Sequence, residues 1–307
     1  MFTKKKTLDE LLTEKLIDRS PKTIKVYVLN FKKTVRETDI NDPDKLKDYL
    51  MEKKVNTRQN YLWAIKNVLE LQSQPNKEVL SMIQNLINSG KKEIDSYYQE
   101  QKKTKRESDN WISLKKLQEF NKNQKKALMT TTNKFTKTPN KKELKNWLIT
   151  SLYTLDPVNH PPMRIDYNME IIKSRNEIKR GNNYLLLESK SKKYFIFDDY
   201  KTGKSQGTKE IRLSRKMNSV INIYLKFNPD NKYLFQNNKG ENITKNALQK
   251  LIQKVYLPLD KKIGVTLLRH IIISETLDTG DKLKKKQELA DKMGHSTQTQ
   301  EKYKKFE

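Results

Sequence analysis

The sequence predicts a mainly helical α+β protein with a small antiparallel β-sheet set inside its second half. Three observations carry this expectation. Apolar residues recur at helical spacing behind Ser-Pro and Asp-Pro start signals in the first hundred residues. The stretch QEQKKTKRESD at 99–109 has no apolar side chain. Three short runs rich in aromatic and aliphatic residues then interrupt the helical patterning between 183 and 213. A chain of 307 residues, set against roughly 100 to 200 residues per domain, suggests two domains. The expected division is a helical domain over 1–100, a basic linker over 101–110 and a mixed domain over 111–307.

Ser20-Pro21 supplies an N-cap and a first-turn proline, and Ile24, Val26, Tyr27, Leu29 and Phe31 follow with helical recurrence. Asp42-Pro43 repeats the signal before Leu46, Tyr49, Leu50 and Met51. A third helix is expected from Asn56, with Tyr61, Leu62, Ile65, Val68 and Leu69 on one apolar face, and a fourth over 79–87. Trp63 and Trp147 are expected in the core. Beyond the linker, 111–120 and 142–155 read as helical, and 122–140 as polar and partly irregular. The β-type runs are NYLLLE (183–188), KYFIFD (193–198) and TKEIRL (208–213), with the glycine-bearing loop YKTGKSQG between the last two. Helices resume over 215–227, 243–256, 265–277 and 283–293. No repeat of fixed period is present.

The charge bounds the partners. Sixty-four Lys and Arg against 37 Asp and Glu leave a net +27, with a pI near 9.8, and a polyanion is the partner that relieves such an imbalance. Nucleic acid is the leading candidate and an anionic membrane surface the rival. No stretch approaches the ~18 to 20 consecutive apolar residues of a spanning helix. The opening MFTKKKTLDELL has no apolar signal core, so a soluble intracellular chain is expected. The absence of cysteine excludes disulfides, cysteine-ligated zinc and thiol catalysis. With three histidines, metal chemistry would have to rest on carboxylates. The excess of lysine over arginine also accords with an AT-rich coding sequence.

Several residues carry chemistry. Arg164 in HPPMRIDYN follows an apolar helix and a Pro-Pro turn, where its fork of donors suits a phosphate. Arg269 lies amid Leu267, Leu268, Ile271, Ile272 and Ile273, and a guanidinium buried there needs an anion or a carboxylate to meet it. His295 follows Gly294 at an expected helix end, and Tyr303 lies eight residues further on. Each taken singly also fits a structural role. His160 reads as a turn residue, Asp198 and Asp199 as a strand end, Asp166 as a partner that orients Arg164, and the run Lys282, Lys284, Lys285 and Lys286 as a solvated face.

Together, Arg164 in PPMRIDY, Lys201 in DDYKTGK, Arg269 and His270 in LLRH, the GHS at 294–296 and Tyr303 make a sequence that resembles the tyrosine recombinases, or phage-type integrases. The PP-x-R-x-DY and MGHS forms are most similar to those of virophages and large DNA viruses of eukaryotes. The resemblance spans about residues 8–307, because SPKTIKVYVLNFKKTV and NTRQNYLWAIKNVLEL look like that family's helical core-binding domain. It implies an N-terminal core-binding domain and a C-terminal catalytic domain, closing as a clamp on double-stranded DNA and assembling there as a homodimer or homotetramer. It also implies a DNA-associated place in the cell, nuclear or in a cytoplasmic virus factory, and a role in integrating or resolving a viral or mobile genome.

Carried over by residue, the resemblance implies Tyr303 as nucleophile on a DNA phosphate, forming a 3′-phosphotyrosyl intermediate. Arg164 and Arg269 would hold the non-bridging oxygens. Lys201 would protonate the leaving 5′-oxygen, with Lys204 as the alternative acid, and His295 would donate to the phosphate. No metal, ATP or other cofactor is implied. Two departures stand out. The position three before the second arginine, usually histidine in the family, is Thr266. A phenol that ordinarily titrates near ~10 would then lose its proton to phosphate oxygens, to His270 or under the field of the arginines. The chain also ends four residues past Tyr303, which puts protomer coupling on 283–293 or on the N-terminal bundle. A type IB topoisomerase-like enzyme and a catalytically silent DNA-binding protein are the alternatives.

Overall fold

A computed structural model describes residues 6–131, 138–277 and 283–305. The chain divides into two compact units, Met1–Glu100 and Gln101–Glu307. Mainly helical α+β architecture is what it adopts.

The first unit holds α1 (Leu8–Lys15), α2 (Pro21–Glu37), α3 (Pro43–Met51), α4 (Val55–Leu69) and α5 (Lys77–Gln99). The start signals act as capping chemistry demands. Ser20 accepts the Thr23 N–H ahead of Pro21, and Asp42 accepts those of Asp44 and Lys45 ahead of Pro43. α4 packs against both α2 and α5. Leu62, Ile65 and Leu69 meet Val79, Ile83 and Ile87, while Ala64 and Val68 meet Ile24, Tyr27 and Val28. Three details differ from expectation. α1 was not anticipated, although Thr7 and Glu10 form a reciprocal capping box. α5 runs to residue 99, because the polar stretch after Ile87 is rich in good helix formers. Trp63 is 38% exposed, whereas Trp147 of the second unit is buried; within the first unit Trp63 lies at the edge of the apolar face of α4 and not inside it.

The second unit opens with α6 (Lys105–Asn110), so the expected linker is in part a helix, nucleated by a capping box between Thr104 and Glu107. It continues with α7 (Leu114–Thr131) and α8 (Lys141–Thr154), then β1 (Glu170–Ile172), β2 (Tyr184–Leu187), β3 (Lys193–Phe197), α9 (Gly203–Gln206) and β4 (Lys209–Arg212). The rest is α10 (Arg215–Lys226), α11 (Lys245–Tyr256), α12 (Val265–Thr276), α13 (Leu283–Met293) and α14 (Thr297–Tyr303). α7 extends through much of the stretch expected to be irregular.

The sheet has order β1-β2-β3-β4 and corrects the antiparallel expectation. β2–β3 and β3–β4 are antiparallel, but β1, which the sequence reading missed, lies parallel to β2. A three-residue edge strand has too short a pattern to announce itself. Both faces of the sheet are covered, which explains the unbroken apolar runs of β2 and β3. Leu185, Phe195 and Phe197 enter the main core with α8, α10, α11 and α12, and Tyr184, Leu186 and Ile196 pack with Ile172 on the other side.

α12 matters most for the site. Leu268, Ile271, Ile272 and Ile273 are fully buried, each contributing about 1.5–3 kcal/mol of apolar transfer. Leu268 and Ile271 belong to the main core. Ile273 packs with Leu277, Leu289, Met293 and the ring of Tyr303, so α12 ties the C-terminal helices to the body of the unit.

Candidate active site

Three separate stretches bring their side chains to Tyr303, the last residue of α14. The Arg164 Nη2 donates to the Tyr303 Oη at 2.8 Å. The Arg269 guanidinium lies 5.2 Å from the centre of the Tyr303 ring. The rings of His295 and His270 lie 5.4 Å and 4.9 Å from it. Arg164, Arg269, His295 and Tyr303 therefore form one cluster. A cavity of about 550 Å³ opens on it, lined among others by Arg164, Thr266, Arg269 and Tyr303. A second, of about 290 Å³, is shared by Arg164, Lys201 and His295. The Lys204 side chain and the residue Lys282 lie outside the described structure.

Arg269 is 1% exposed. Its Nη1 donates to Pro162 O at 2.8 Å, and Nη1 and Nη2 both reach Met293 O at 3.3 Å. Burial lowers its pKa while the nearby Tyr303 opposes that shift, and a guanidinium stays charged regardless. Among the described residues neither Arg164 nor Arg269 pairs with a carboxylate, and Arg269 Nε is buried without a partner. Asp166 lies near enough to act on both guanidinium groups electrostatically, yet no carboxylate is in direct contact with either, an arrangement that suits an anion.

The carbonyl that anchors Arg269 is free because of how α13 ends. Gly294 has φ +70°, its N–H bonds Asp291 O and the His295 N–H bonds Ala290 O, the Schellman arrangement. A Cβ on Gly294 would stand 3.1 Å from the Tyr200 ring, so a side chain there would have to displace that ring by a few tenths of an ångström as well as adopt the left-handed backbone.

His295 is 4% exposed. Its Nδ1 bonds Ser296 O at 3.1 Å, and since a carbonyl only accepts, Nδ1 carries the proton. Nε2 is buried without a partner and is a bare acceptor in the neutral ring. Burial, reinforced by Arg269, pushes the imidazole down to about 4. His160, in the turn after α8, is also held down to about 4 by burial, and its Nε2 accepts the Ser214 N–H at 2.6 Å. The unfolded chain takes up protons at both rings near the ordinary 6.5, so the unfolded state binds more protons between about 6.5 and 4. Stability is expected to fall as pH drops through that window, by about 3 kcal/mol per ring at most. Urea midpoints between pH 7 and pH 4 measure this, and a His160→Gln protein should show the shallower slope.

Lys201 sits on the β3–β4 hairpin, and the structure shows how that hairpin is held. Asn183 is 3% exposed. Its Oδ1 accepts from Asp198 N and Asp199 N at 2.9 Å, and its Nδ2 donates to Asp166 O and Asp199 O at 3.0 Å. One amide thus fastens the base of the Lys201 hairpin to the segment that carries Arg164. Lys245 repeats the link, with Nζ 3.2 Å from Asp166 and 2.9 Å from Asp199. Asp166 is therefore bonded to Lys245 and not to Arg164. Thr202 joins the hairpin to Gly294 O at 2.7 Å. Asn183→Ala is expected to destabilise the unit by about 2–4 kcal/mol, because buried backbone groups lose their partners; an unchanged denaturation midpoint would refute this account.

No protein-family model and no curated protein matches the chain. Among solved structures, the crystal structure of XerA recombinase is similar over 98% of this chain and 93% of that chain, at 14% identity and a TM-score of 0.42.

The sequence reading missed Asn183 and Lys245, whose types and positions are unremarkable along the chain. It also missed Glu107, which lies in the expected linker. Glu107 Oε1 meets His270 Nδ1 at 2.6 Å. Burial raises the pKa of this carboxyl, but the bonds from His270 and Thr104 outweigh it and hold it down to about 2. The pattern Thr104-x-x-Glu107 was the available signal for α6. Among the described residues, no group of His, Asp and Glu could hold a metal ion and no helix is long and apolar enough to cross a membrane.

Proposed function

We propose that this chain breaks and rejoins DNA strands as a recombinase of the tyrosine type, acting in integration or resolution of a mobile or viral genome. The observation that carries the reading is the hydrogen bond from Arg164 to Tyr303 Oη, inside a cluster where Arg269 adds a second guanidinium without a carboxylate partner. In this reading Tyr303 Oη attacks a DNA phosphorus and gives up its proton to a non-bridging phosphate oxygen. The P–O5′ bond breaks, leaving a 3′-phosphotyrosyl link, and Lys201 gives its proton to the 5′-oxygen. Arg164 and Arg269 hold the non-bridging oxygens and stabilise the charge of the transition state. His295 is a neutral acceptor in the folded protein, so its donation to the phosphate requires protonation, which an entering anion favours.

The net charge of +27 supports double-stranded DNA as the partner, with assembly of two or four copies on it. The first unit then serves as a core-binding domain and the second as the catalytic one. One feature favours a second reading, a DNA-binding protein without turnover. Thr266 lines the cavity beside Tyr303 and is no base near neutral pH. Covalent trapping separates the two. Wild type and Tyr303→Phe are incubated with a pool of nicked duplexes, without metal or ATP. An SDS-stable protein–DNA adduct from wild type alone supports strand transfer; tight binding with no adduct from either protein supports the silent reading.

A further inference from the structure

We propose that Glu107 and His270 form a positioning pair that holds Tyr303 for attack, an inference that rests on the strand-transfer reading above. Four observations carry it. The carboxylate and the imidazole meet at 2.6 Å across 163 residues of sequence. The His270 ring stands edge-on to the Tyr303 ring, 4.9 Å between centres at 65°. Both residues of the pair are largely buried, with side chains 16% and 10% exposed. The segment that carries Glu107 also touches α14 elsewhere, since Gln101 Nε2 donates to Glu301 O at 2.9 Å.

The chemistry gives the pair its direction. An ionised Glu107 can only accept, so His270 Nδ1 carries a proton and the ring is fixed in one orientation, as second partners of functional histidines commonly do. The fixed ring forms one wall against Tyr303, His295 a second and Arg269 a third. A phenol seated this way has little rotational freedom, and misplacement of a reacting atom by ~1 Å costs about 100-fold in rate. Thr266 occupies the position where the resemblance leads one to expect a histidine, so the imidazoles that touch the nucleophile are His270 and His295. α6, on this account, is a brace for the nucleophile.

The test uses full-length protein, the single-turnover rate of adduct formation on the nicked duplex that wild type cleaves, and the affinity for the same DNA. His270→Phe keeps a ring against Tyr303 and loses the carboxylate bond. Glu107→Ala and His270→Phe are each expected to slow adduct formation about 10- to 100-fold with DNA affinity unchanged. Glu107→Gln, whose amide oxygen still accepts from Nδ1–H, should recover most of the rate. Glu107→Ala should cost nothing further in the His270→Phe background. Thr104→Ala weakens the same helix cap and leaves the pair intact, so it should cleave at close to the wild-type rate. Wild-type rates in Glu107→Ala or His270→Phe, or additive losses in the double variant, would overturn the pair while leaving the recombinase reading in place. A Thr104→Ala loss equal to that of Glu107→Ala would reduce Glu107 to a helix cap. Absence of any wild-type adduct removes the underlying reading and this proposal with it.

Discussion

Tyr303→Phe is expected to abolish every covalent DNA product while leaving the fold and DNA binding intact. The structure makes this a clean substitution. The only group removed is Oη, which accepts one bond from Arg164. The ring contacts with His270, His295 and Arg269 persist in phenylalanine. Tyr303 packs on Ile273, Leu277, Leu289 and Met293 through its ring, and that packing is kept as well. The lost bond is partly solvent-accessible, so the stability change should be about 1 kcal/mol. Gel analysis of trapped adducts and a denaturation curve on the same preparation measure both halves. A phenylalanine protein that still forms an adduct would move the nucleophile to another residue.

Arg269→Ala should fail in two respects, and the two can be measured apart. The guanidinium holds Pro162 O, on the segment leading to Arg164, and Met293 O, at the end of α13. Its removal leaves two carbonyls without that donor and enlarges the cavity that Arg269 lines, costing about 2–5 kcal/mol. It also removes one of the two guanidinium groups proposed to hold the phosphate, expected to cost ~100- to 1,000-fold in strand cleavage. Arg269→Lys distinguishes the roles. It keeps a charge, but an ammonium lacks the planar fork that serves both carbonyls at once. The lysine protein should regain part of the stability and little of the cleavage rate. Urea unfolding reports the first and single-turnover adduct formation the second. Full cleavage by Arg269→Ala would remove Arg269 from the chemistry.

What could be read in the chain follows from the range of the forces involved. Ser20-Pro21 and Asp42-Pro43 mark helix starts because capping acts over three or four residues, and the folded protein forms those bonds. The runs at 184–187 and 193–197 were visible because a strand covered on both faces is apolar throughout. β1 was not, since three residues carry no period and its partner lies across a connection of irregular backbone. Trp63 shows the limit from the other side. Helical spacing placed it on an apolar face, and how far the edge of that face is covered is not a local property.

The candidate site divides in the same way. Arg164, Arg269, His295 and Tyr303 were named from their order and immediate neighbours, and the Schellman turn behind Gly294-His295 was foreshadowed by the glycine. Asn183, Lys245 and Glu107 were not, because their importance lies in partners far away in the chain.

By itself the sequence determined the helical start signals, the covered strands, the charge excess and the residue types available for phosphate chemistry, all of which rest on composition and on interactions between near neighbours. Only the tertiary structure decided that Arg164 meets Tyr303 across 139 residues, that Glu107 reaches His270 across 163 and that Asn183 fastens the Lys201 hairpin. Such meetings depend on how buried faces pack, and packing is a property of the whole folded unit that no short window of sequence contains.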